Sequence, residues 1–293
     1  MINFKAKTLT TAFLVLLIYA AACGGESSGN WNDLPEYLSG SVIVYGDSRT
    51  GHDMHRNIMK GMASLEPEAV FHTGDLVSNG RDPENWVIFN NIASQLPSHT
   101  PIYPALGNHE HASSLYFDNF DLPGNERWYS VDDIDGLKFI ILDSGSELSP
   151  ATTLTPASPQ YQWLESELSS GVSATDVSIV LFHYPLYSTG YHGSDDKDIR
   201  DSLVPLFQKY GVDAVFNGHD HDYERFTING IRYIVTGGGG APLRNQRGTS
   251  IYSELFVKVH HFCALYFDGG GRLMVEVWSD KAKRIDEFEI QNR

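Results

Sequence analysis

Short apolar runs alternate with longer segments of mixed polarity between residues 41 and 223. Each run is rich in β-branched or aromatic residues and is bounded by Gly, Asp or Asn, which is typical of buried strands. The segments between the runs favour helices, and Pro83 and Pro159 lie where first-turn prolines are tolerated. The predicted strands are residues 41–46, 69–74, 101–107, 137–143, 177–183 and 213–219. The predicted helices are residues 53–65, 83–95, 158–170 and 198–210.

The pattern changes after Tyr223, where strand-like segments follow one another without helices between them. Residues 225–240, 255–280 and 286–290 predict hairpins, because Asn-Gly and Gly-Gly pairs at 229–230 and 269–270 are strong turn signals. The sequence contains no internal repeat and no linker that would divide it. We therefore expect one domain over residues 40–293, with a mixed α/β half followed by an antiparallel half.

The first 39 residues predict targeting rather than fold. Lys5 and Lys7 precede an apolar stretch that is too short to span a membrane, which indicates a signal peptide over residues 1–22. The sequence "AAAC", which ends in Cys23, resembles the lipobox of bacterial lipoproteins. This resemblance implies cleavage before Cys23, a lipid on its sulfur and a flexible tether over residues 23–39. The alternative is an ordinary signal peptidase site that leaves Cys23 free.

The predicted lipid on Cys23 indicates where the protein is located, and the composition limits the classes of partner. A lipid on Cys23 would anchor the protein on the secreted or periplasmic face of a membrane, and Gly24 favours the outer membrane if the cell is Gram-negative. The chain has 293 residues, 41% of them hydrophobic, which is enough for one large core. Its formal net charge of -16 argues against nucleic acid as the main partner. Cys263 lies in an apolar run, so we expect a buried thiol and no disulfide within the mature lipidated chain.

Five of the predicted strands end in Asp, Asn or His, at the point where the strand meets a loop. Open α/β sheets bind ligands at the carboxyl ends of their strands. If these strands are roughly parallel neighbours, their ends converge on one spot. The six candidate ligands are Asp47, Asp75, Asn108, His183, His219 and His221.

The six candidates predict a metal site without thiolate. Mixed nitrogen and oxygen donors favour Zn, Mn or Fe over Ca²⁺. Six ligands are too many for one tetrahedral Zn²⁺, and they favour two ions about 3.5–4 Å apart with Asp75 as the bridging carboxylate. Glycine precedes four of the candidates, which lets the backbone approach closely and permits unusual φ angles. These four are Asp47, Asp75, Asn108 and His219.

The motifs "GD", "GDL", "GNHE", "HYP" and "GHDH", in this order, resemble the calcineurin-like metallophosphoesterases. The stretches "GHDHDYER", "HYPLYS" and "TGGGGAP" are similar, more narrowly, to the purple acid phosphatase branch. The resemblance covers residues 41–280. It implies an α/β (α+β) fold, a four-layer αββα sandwich of two mixed β-sheets flanked by helices, with metals at the sheet edge.

The resemblance also implies how the ligands divide. The first metal position would take Asp47, Asp75 and His221, and the second would take Asp75, Asn108, His183 and His219. His109 would face the substrate and donate a proton to the leaving group or a hydrogen bond to a phosphoryl oxygen. His192 resembles a second substrate-facing histidine of the purple branch, although a merely solvated residue in a polar loop is the alternative.

Two departures from the family pattern affect the first position. Arg49 stands where the superfamily usually has a ligating His, and Ser78 stands where the purple branch has a ligating Tyr. His52 or His55 could supply the missing ligand. For Arg49 we weigh a bidentate grip on a phosphate against a salt bridge to a carboxylate such as Asp53.

The leading hypothesis is a two-metal phosphoester hydrolase that acts on a small phosphoester. Its cofactors would be two divalent or trivalent transition-metal ions (Fe, Mn or Zn). The resemblance implies in-line attack on phosphorus by a metal-bound hydroxide. Phosphomonoesters and phosphodiesters both stay open as substrates. The alternative is a mono-metal or weakly active metal-binding surface lipoprotein, because the first position lacks its usual fourth ligand.

Overall fold

The fold is that of a computed structural model, which describes residues 29–134, 136–145, 154–170, 177–193 and 197–292. The predicted signal peptide and Cys23 lie outside the described residues. In the part of the chain that is described, the α-helices are α1 (His52–Ala63), α2 (Pro83–Ala93), α3 (Ser114–Asn119), α4 (Pro159–Ser169) and α5 (Lys197–Tyr210). Four of them match the predicted helices to within two residues, and α3 was not predicted.

The strands fall into two groups along the chain. The first seven are β1 (Val42–Tyr45), β2 (Ala69–His72), β3 (Ile102–Pro104), β4 (Tyr129–Ile134), β5 (Leu137–Ile141), β6 (Val177–Leu181) and β7 (Ala214–Asn217). The other six are β8 (Tyr223–Ile228), β9 (Ile231–Thr236), β10 (Ser253–Val257), β11 (His261–Phe267), β12 (Leu273–Ser279) and β13 (Arg284–Ile290). Of the first group, only β4 was not predicted.

The strands form two mixed sheets. The six-stranded sheet has the order β13-β12-β11-β1-β2-β3, and β1, β2 and β3 run parallel. The seven-stranded sheet has the order β10-β8-β9-β7-β6-β5-β4, and β5, β6, β7 and β9 run parallel. The β8–β9 and β11–β12 hairpins confirm the two turn signals. However, residues 255–257 of the predicted segment 255–280 belong to β10, which lies in the seven-stranded sheet and is not part of the β11–β12 hairpin.

Three hydrophobic layers hold the sandwich together. In β1, Val42 and Val44 face the layer between the two sheets, while Ile43 and Tyr45 face α1 and α2. Helices α4 and α5 cover the outer face of the seven-stranded sheet. The strands are therefore buried on both faces, which explains why they appear as continuous apolar runs. The layers confirm the predicted αββα fold class.

The segment before β1 differs from the predicted flexible tether. Residues 31–33 and 36–38 form two 3₁₀ turns, Leu38 is fully buried, and Trp31 packs against Phe262. Apolar contacts therefore fix the chain to the sandwich some ten residues earlier than the predicted domain boundary. Among the described helices, none is both long and apolar enough to cross a membrane.

Candidate metal centre

The six predicted ligands meet at one edge of the sandwich. They follow β1, β2 and β3 in one sheet and β6 and β7 in the other. Hydrogen bonds join the two sets of loops, because His219 N donates to Asp47 Oδ2 at 2.9 Å and His183 Nδ1 lies 3.0 Å from Thr73 O. The carboxyl ends of the parallel strands of both sheets therefore point to the same site.

Backbone conformation at this edge differs from the sequence prediction. Positive φ angles occur mainly at the candidate ligands themselves, at Asp47 (55°), Asp75 (58°) and His219 (70°). Among the four preceding glycines only Gly74 has a positive φ, of 96°. The others are needed for close packing: a β-carbon added to Gly218, for example, would overlap Asp47 Oδ2. Left-handed backbone at three non-glycine residues is costly and concentrates at functional sites.

Three candidate ligands surround a nitrogen atom of a fourth, His183, at what we call the second position. His183 Nε2 lies 3.1 Å from Asn108 Oδ1, 3.2 Å from His219 Nδ1 and 3.5 Å from Asp75 Oδ1. His183 Nδ1 donates to Thr73 O, so Nε2 of the neutral imidazole carries a lone pair. The imidazole, amide and carboxylate groups of four residues therefore lie close enough together to bind one cation.

His219 is held in its neutral form. Burial lowers its pKa to about 2, and the neighbouring His183 and His192 act in the same direction. A neutral imidazole offers a lone pair to a cation, and two imidazoles, an amide oxygen and a carboxylate are a donor set that suits Zn²⁺, Mn²⁺ or iron. The residues at the second position therefore fit a transition-metal ion.

The first position contains Asp47, Asp75 and His221. Ligand atoms of these three residues lie within 4.8 Å of one another, and no other group of three His, Cys, Asp or Glu residues does so within the described ranges. His221 Nε2 lies 3.5 Å from Asp47 Oδ1, a buried oxygen that accepts no hydrogen bond. His221 Nδ1 donates to Pro242 O at 2.8 Å, which leaves Nε2 as the acceptor.

Arg49 reaches into this first position. Its Nε donates to Asp75 Oδ2 at 3.1 Å, and its Nη2 lies 3.4 Å from His221 Nε2. The first of these contacts is the salt-bridge alternative weighed for Arg49, although the carboxylate is Asp75 and not Asp53, which pairs with Arg56 at 2.9 Å. Asp53 belongs to α1 and pairs within that helix, whereas Arg49 lies in the loop after β1 and points toward the strand ends.

Asp75 links the two positions through its two oxygens. Oδ1 faces His183, and Oδ2 faces Arg49. Burial opposes ionisation of Asp75, but the charges of His183, His109 and Arg49 together lower its pKa to about 2. A carboxylate placed in this way can contact cations on both sides, which is the geometry that a bridging ligand needs.

The two predicted substrate-facing histidines also lie at the edge. His109 Nδ1 donates to Ser78 O at 2.7 Å, so its Nε2 points into the site, 3.8 Å from Asp75 Oδ2. The ring centroid of His192 lies 4.4 Å from that of His219, and its backbone N–H donates to Asp220. The structure thus brings His109 to Asp75 Oδ2, at the first position, and His192 to His219, at the second position.

Neither His52 nor His55, the two candidates for the missing ligand, lies at the first position. His55 is buried behind β1, where its Nε2 lies 3.2 Å from Tyr45 Oη and burial lowers its pKa to about 3. His52 begins α1 and lies outside the group of ligand atoms at the first position. The Ser78 hydroxyl donates to Asn85, so this residue contributes its carbonyl to His109 and no ligand to the metal centre.

Sequence reasoning missed the role of Glu110, although it is the last residue of "GNHE". Its Oε2 accepts hydrogen bonds from Asp75 N at 2.9 Å and Gly107 N at 2.7 Å, and Oε1 accepts from Val77 N at 3.3 Å. Burial, together with the charge of Asp75, raises its pKa to about 8. A buried acidic residue two places after a candidate ligand was the available signal.

A cationic rim was also missed. Tyr191 is 42% exposed, and the guanidinium carbons of Arg244 and Arg247 lie 5.0 Å and 3.5 Å from its ring centroid. Arg244 N donates to His221 O, which ties this rim to the first position. Tyr191 precedes the two arginines by some fifty positions in the sequence, so no local pattern indicates that they meet.

Comparison with known proteins identifies the family. The model of the calcineurin-like phosphoesterases matches residues 40–223. Probable purple acid phosphatase 20 of Arabidopsis thaliana is 27% identical over 289 residues, which is 88% of this chain and 65% of the relative. The chain thus spans somewhat less than two thirds of that relative's length.

Two solved structures share the fold. Purple acid phosphatase PPD1 from yellow lupin (Lupinus luteus) superposes with a TM-score of 0.74 at 23% identity, over 85% of this chain and 53% of that one. GAP50, the anchor in the inner membrane complex of Plasmodium, superposes with a TM-score of 0.70 at 19% identity, over 86% of this chain and 88% of that one. With the family model matching more than half of its length, the chain belongs to the calcineurin-like phosphoesterase family.

Proposed function

We propose that the protein is a metal-dependent hydrolase of phosphoesters. The observation that carries this proposal is the set of imidazole, amide and carboxylate ligand atoms around His183 Nε2. Asp75 belongs to this set, and its other oxygen lies 3.8 Å from His109 Nε2. The set is suited to a cation that meets a phosphoryl group at the surface of the site.

The second position would hold the ion through Asp75, Asn108, His183 and His219. A bound transition-metal ion supplies positive charge that stabilises phosphoryl oxygens and makes water acidic enough to act as a nucleophile near neutral pH. Thr73 O orients the His183 ring through Nδ1, and such a partner on the far side of a ligating imidazole fixes its tautomer.

His109 is the group that would protonate the departing alcohol. Ser78 O accepts a hydrogen bond from Nδ1, so Nε2 faces the site, and as an imidazolium His109 would deliver its proton from that atom. Its side chain is 29% exposed, which leaves one edge open to substrate. General acid catalysis by a positioned histidine contributes about 10²–10⁴-fold to a rate.

The rim favours an anionic substrate. The chain as a whole carries a net charge of -16, but Arg244 and Arg247 flank Tyr191 beside the centre, and Arg49 lies inside it. Local positive charge in an otherwise acidic protein attracts anions to that point and raises their local concentration. This charge distribution is consistent with a phosphate ester and does not separate monoesters from diesters.

The test is turnover of mono- and bis-(p-nitrophenyl) phosphate by the full chain, before and after treatment with a chelator. We expect hydrolysis of at least one of the two esters, loss of activity after chelation, and recovery when Zn²⁺, Mn²⁺ or iron is restored. Unchanged hydrolysis by chelated protein would contradict the proposal. The preferred ester then assigns the protein as a phosphomonoesterase or a phosphodiesterase.

The contacts of Arg49 favour a second candidate function. A centre in which a side-chain cation occupies part of the site could bind one ion and turn over slowly, as a mono-metal surface protein. Steady-state rates separate the two functions: stoichiometric metal binding with no hydrolysis of either model ester above the chelated control would favour this candidate.

We further propose that the protein is a lipoprotein anchored through Cys23. The support is the apolar segment followed by "AAAC" in the sequence. In cells fed with labelled palmitate, we expect the wild-type chain to incorporate label and to sediment with membranes. The Cys23→Ala variant should incorporate none, and label in that variant would refute the assignment.

A further inference from the structure

Arg49 contacts the same atoms that a metal ion at the first position would use. Its Nε donates to Asp75 Oδ2, and its Nη2 approaches His221 Nε2. The side chain is only 13% exposed, and Gly51 N donates to Arg49 O at 2.8 Å, so the loop that carries it turns tightly. The guanidinium therefore lies within the first position rather than above it.

His221 Nε2 cannot accept a hydrogen bond from Arg49 and bind a metal ion at the same time. Its Nδ1 donates to Pro242 O, which leaves one lone pair on Nε2. That lone pair can accept a hydrogen bond from Arg49 or bind a metal at about 2.0–2.1 Å, but not both. A guanidinium is a permanent cation in proteins, so it repels a second cation at this distance.

The formal charges of the side chains also differ between the two positions. Asp47 and Asp75 are buried carboxylates, and Arg49 is the permanent cation that contacts the first position. At the second position His183, His219 and Asn108 contribute no formal charge when the imidazoles are neutral. Arg49 pairs with Asp75 and so compensates one of these two buried charges.

We infer that Arg49 takes the place of the first metal ion, so that the chain keeps one tightly held transition-metal ion, at the second position. This inference rests on the proposed function and reduces the number of metal ions from the two that the sequence predicts to one. The free oxygen Asp47 Oδ1 shows that the substitution is partial: the guanidinium contacts Asp75 and His221 and leaves one ligand atom of the first position without a partner. Removing Arg49 should therefore restore a usable site with three protein ligands.

The experiment measures metal content per chain by elemental analysis. The full chain is loaded with Zn²⁺ or Mn²⁺ and passed through metal-free buffer to remove loosely bound ions. We expect about one retained ion in the wild type and about two in Arg49→Ala, because three protein ligands suffice to hold Zn²⁺. Arg49→His, which adds an imidazole at the same point, should also retain two.

Arg56→Ala is the matched control, since it removes one positive charge from the neighbouring helix, where Arg56 pairs with Asp53. It should retain the wild-type number of ions. Two ions in the wild type, or one ion in both Arg49 variants, would overturn the inference. If the variants fail to fold, anomalous scattering from metal-loaded wild-type crystals decides: one peak beside Asn108, His183 and His219 supports it, and a second peak beside Asp47 and His221 overturns it.

Turnover of the model esters by the same samples keeps the two proposals distinguishable. Hydrolysis by a chain that holds two ions would overturn the role of Arg49 and leave the proposed function intact. Failure to hydrolyse either ester at any metal content would contradict the proposed function, and the retained-ion count would still decide whether Arg49 occupies the first position.

Discussion

The first and second positions of the metal centre share Asp75 but differ in the charges of their other side chains. The second position gathers the amide of Asn108 and two imidazoles, with His183 Nε2 3.2 Å from His219 Nδ1. The first position gathers carboxylates and already contacts Arg49. A site made mostly of lone pairs needs an external cation, whereas a site with an internal cation does not. Matching ligand motifs along a sequence therefore do not imply equal metal binding.

The sharpest way to test this difference is to remove one histidine from each position. His219 and His221 are two residues apart, and each serves a different half. We expect His219→Ala to lose the tightly held ion and to lower kcat/KM on the order of 10²–10³-fold or more, as expected when a group that stabilises transition-state charge is lost. We expect His221→Ala to keep the ion.

Metal content and steady-state rates of the two variants check this prediction together. His221→Ala should lose less activity, since Arg49 keeps its contact with Asp75. Circular dichroism of both variants provides the folding control. Equal loss of metal from the two variants would show that the positions are equivalent, and the comparison would be wrong.

Much of the fold was predictable, and for a physical reason. Strands that are buried on both faces give continuous apolar runs, so β1, β2, β5 and β6 stood out. Strand β4 pairs only with β5 at the sheet edge, and its "YSVDDI" sequence lacks such a run. Helix α3 has six residues, too few to establish a periodic pattern.

The candidate site also has a part that the sequence predicts and a part that it does not. Its ligands follow strand ends, so sequence order and parallel pairing were enough to bring them together. The partner of Arg49 was not predictable, because Asp53 is close in sequence while Asp75 is close in space. The contacts of Tyr191 with Arg244 and Arg247 join distant loops, and nothing local in the sequence indicates them.

His109 lies beside the first position and tests whether proton donation is separate from metal binding. We expect His109→Gln to retain the wild-type metal content, since its Nε2 lies 3.8 Å from Asp75 Oδ2 and is not among the ligand atoms. For an alkyl phosphate, whose leaving group needs a proton, kcat should fall about 10²–10⁴-fold. For p-nitrophenyl phosphate, whose leaving group departs readily as an anion, the fall should be much smaller. Equal losses with both substrates would indicate that His109 positions substrate instead.

Glu110 offers the smallest change, and it acts on the support that both positions share. Its carboxylate holds the backbone N–H groups of Asp75 and Gly107, in the loops after β2 and β3. In Glu110→Ala these buried N–H groups lose their acceptor, which should lower the free energy of unfolding by about 1–3 kcal/mol. Urea unfolding measures this, with the exposed Glu68→Ala as the control that should change by less than about 0.5 kcal/mol. Metal content should stay at the wild-type value, because Glu110 contacts backbone N–H groups and no side-chain ligand atom. Loss of the ion without a loss of stability would instead assign Glu110 to the second position alone.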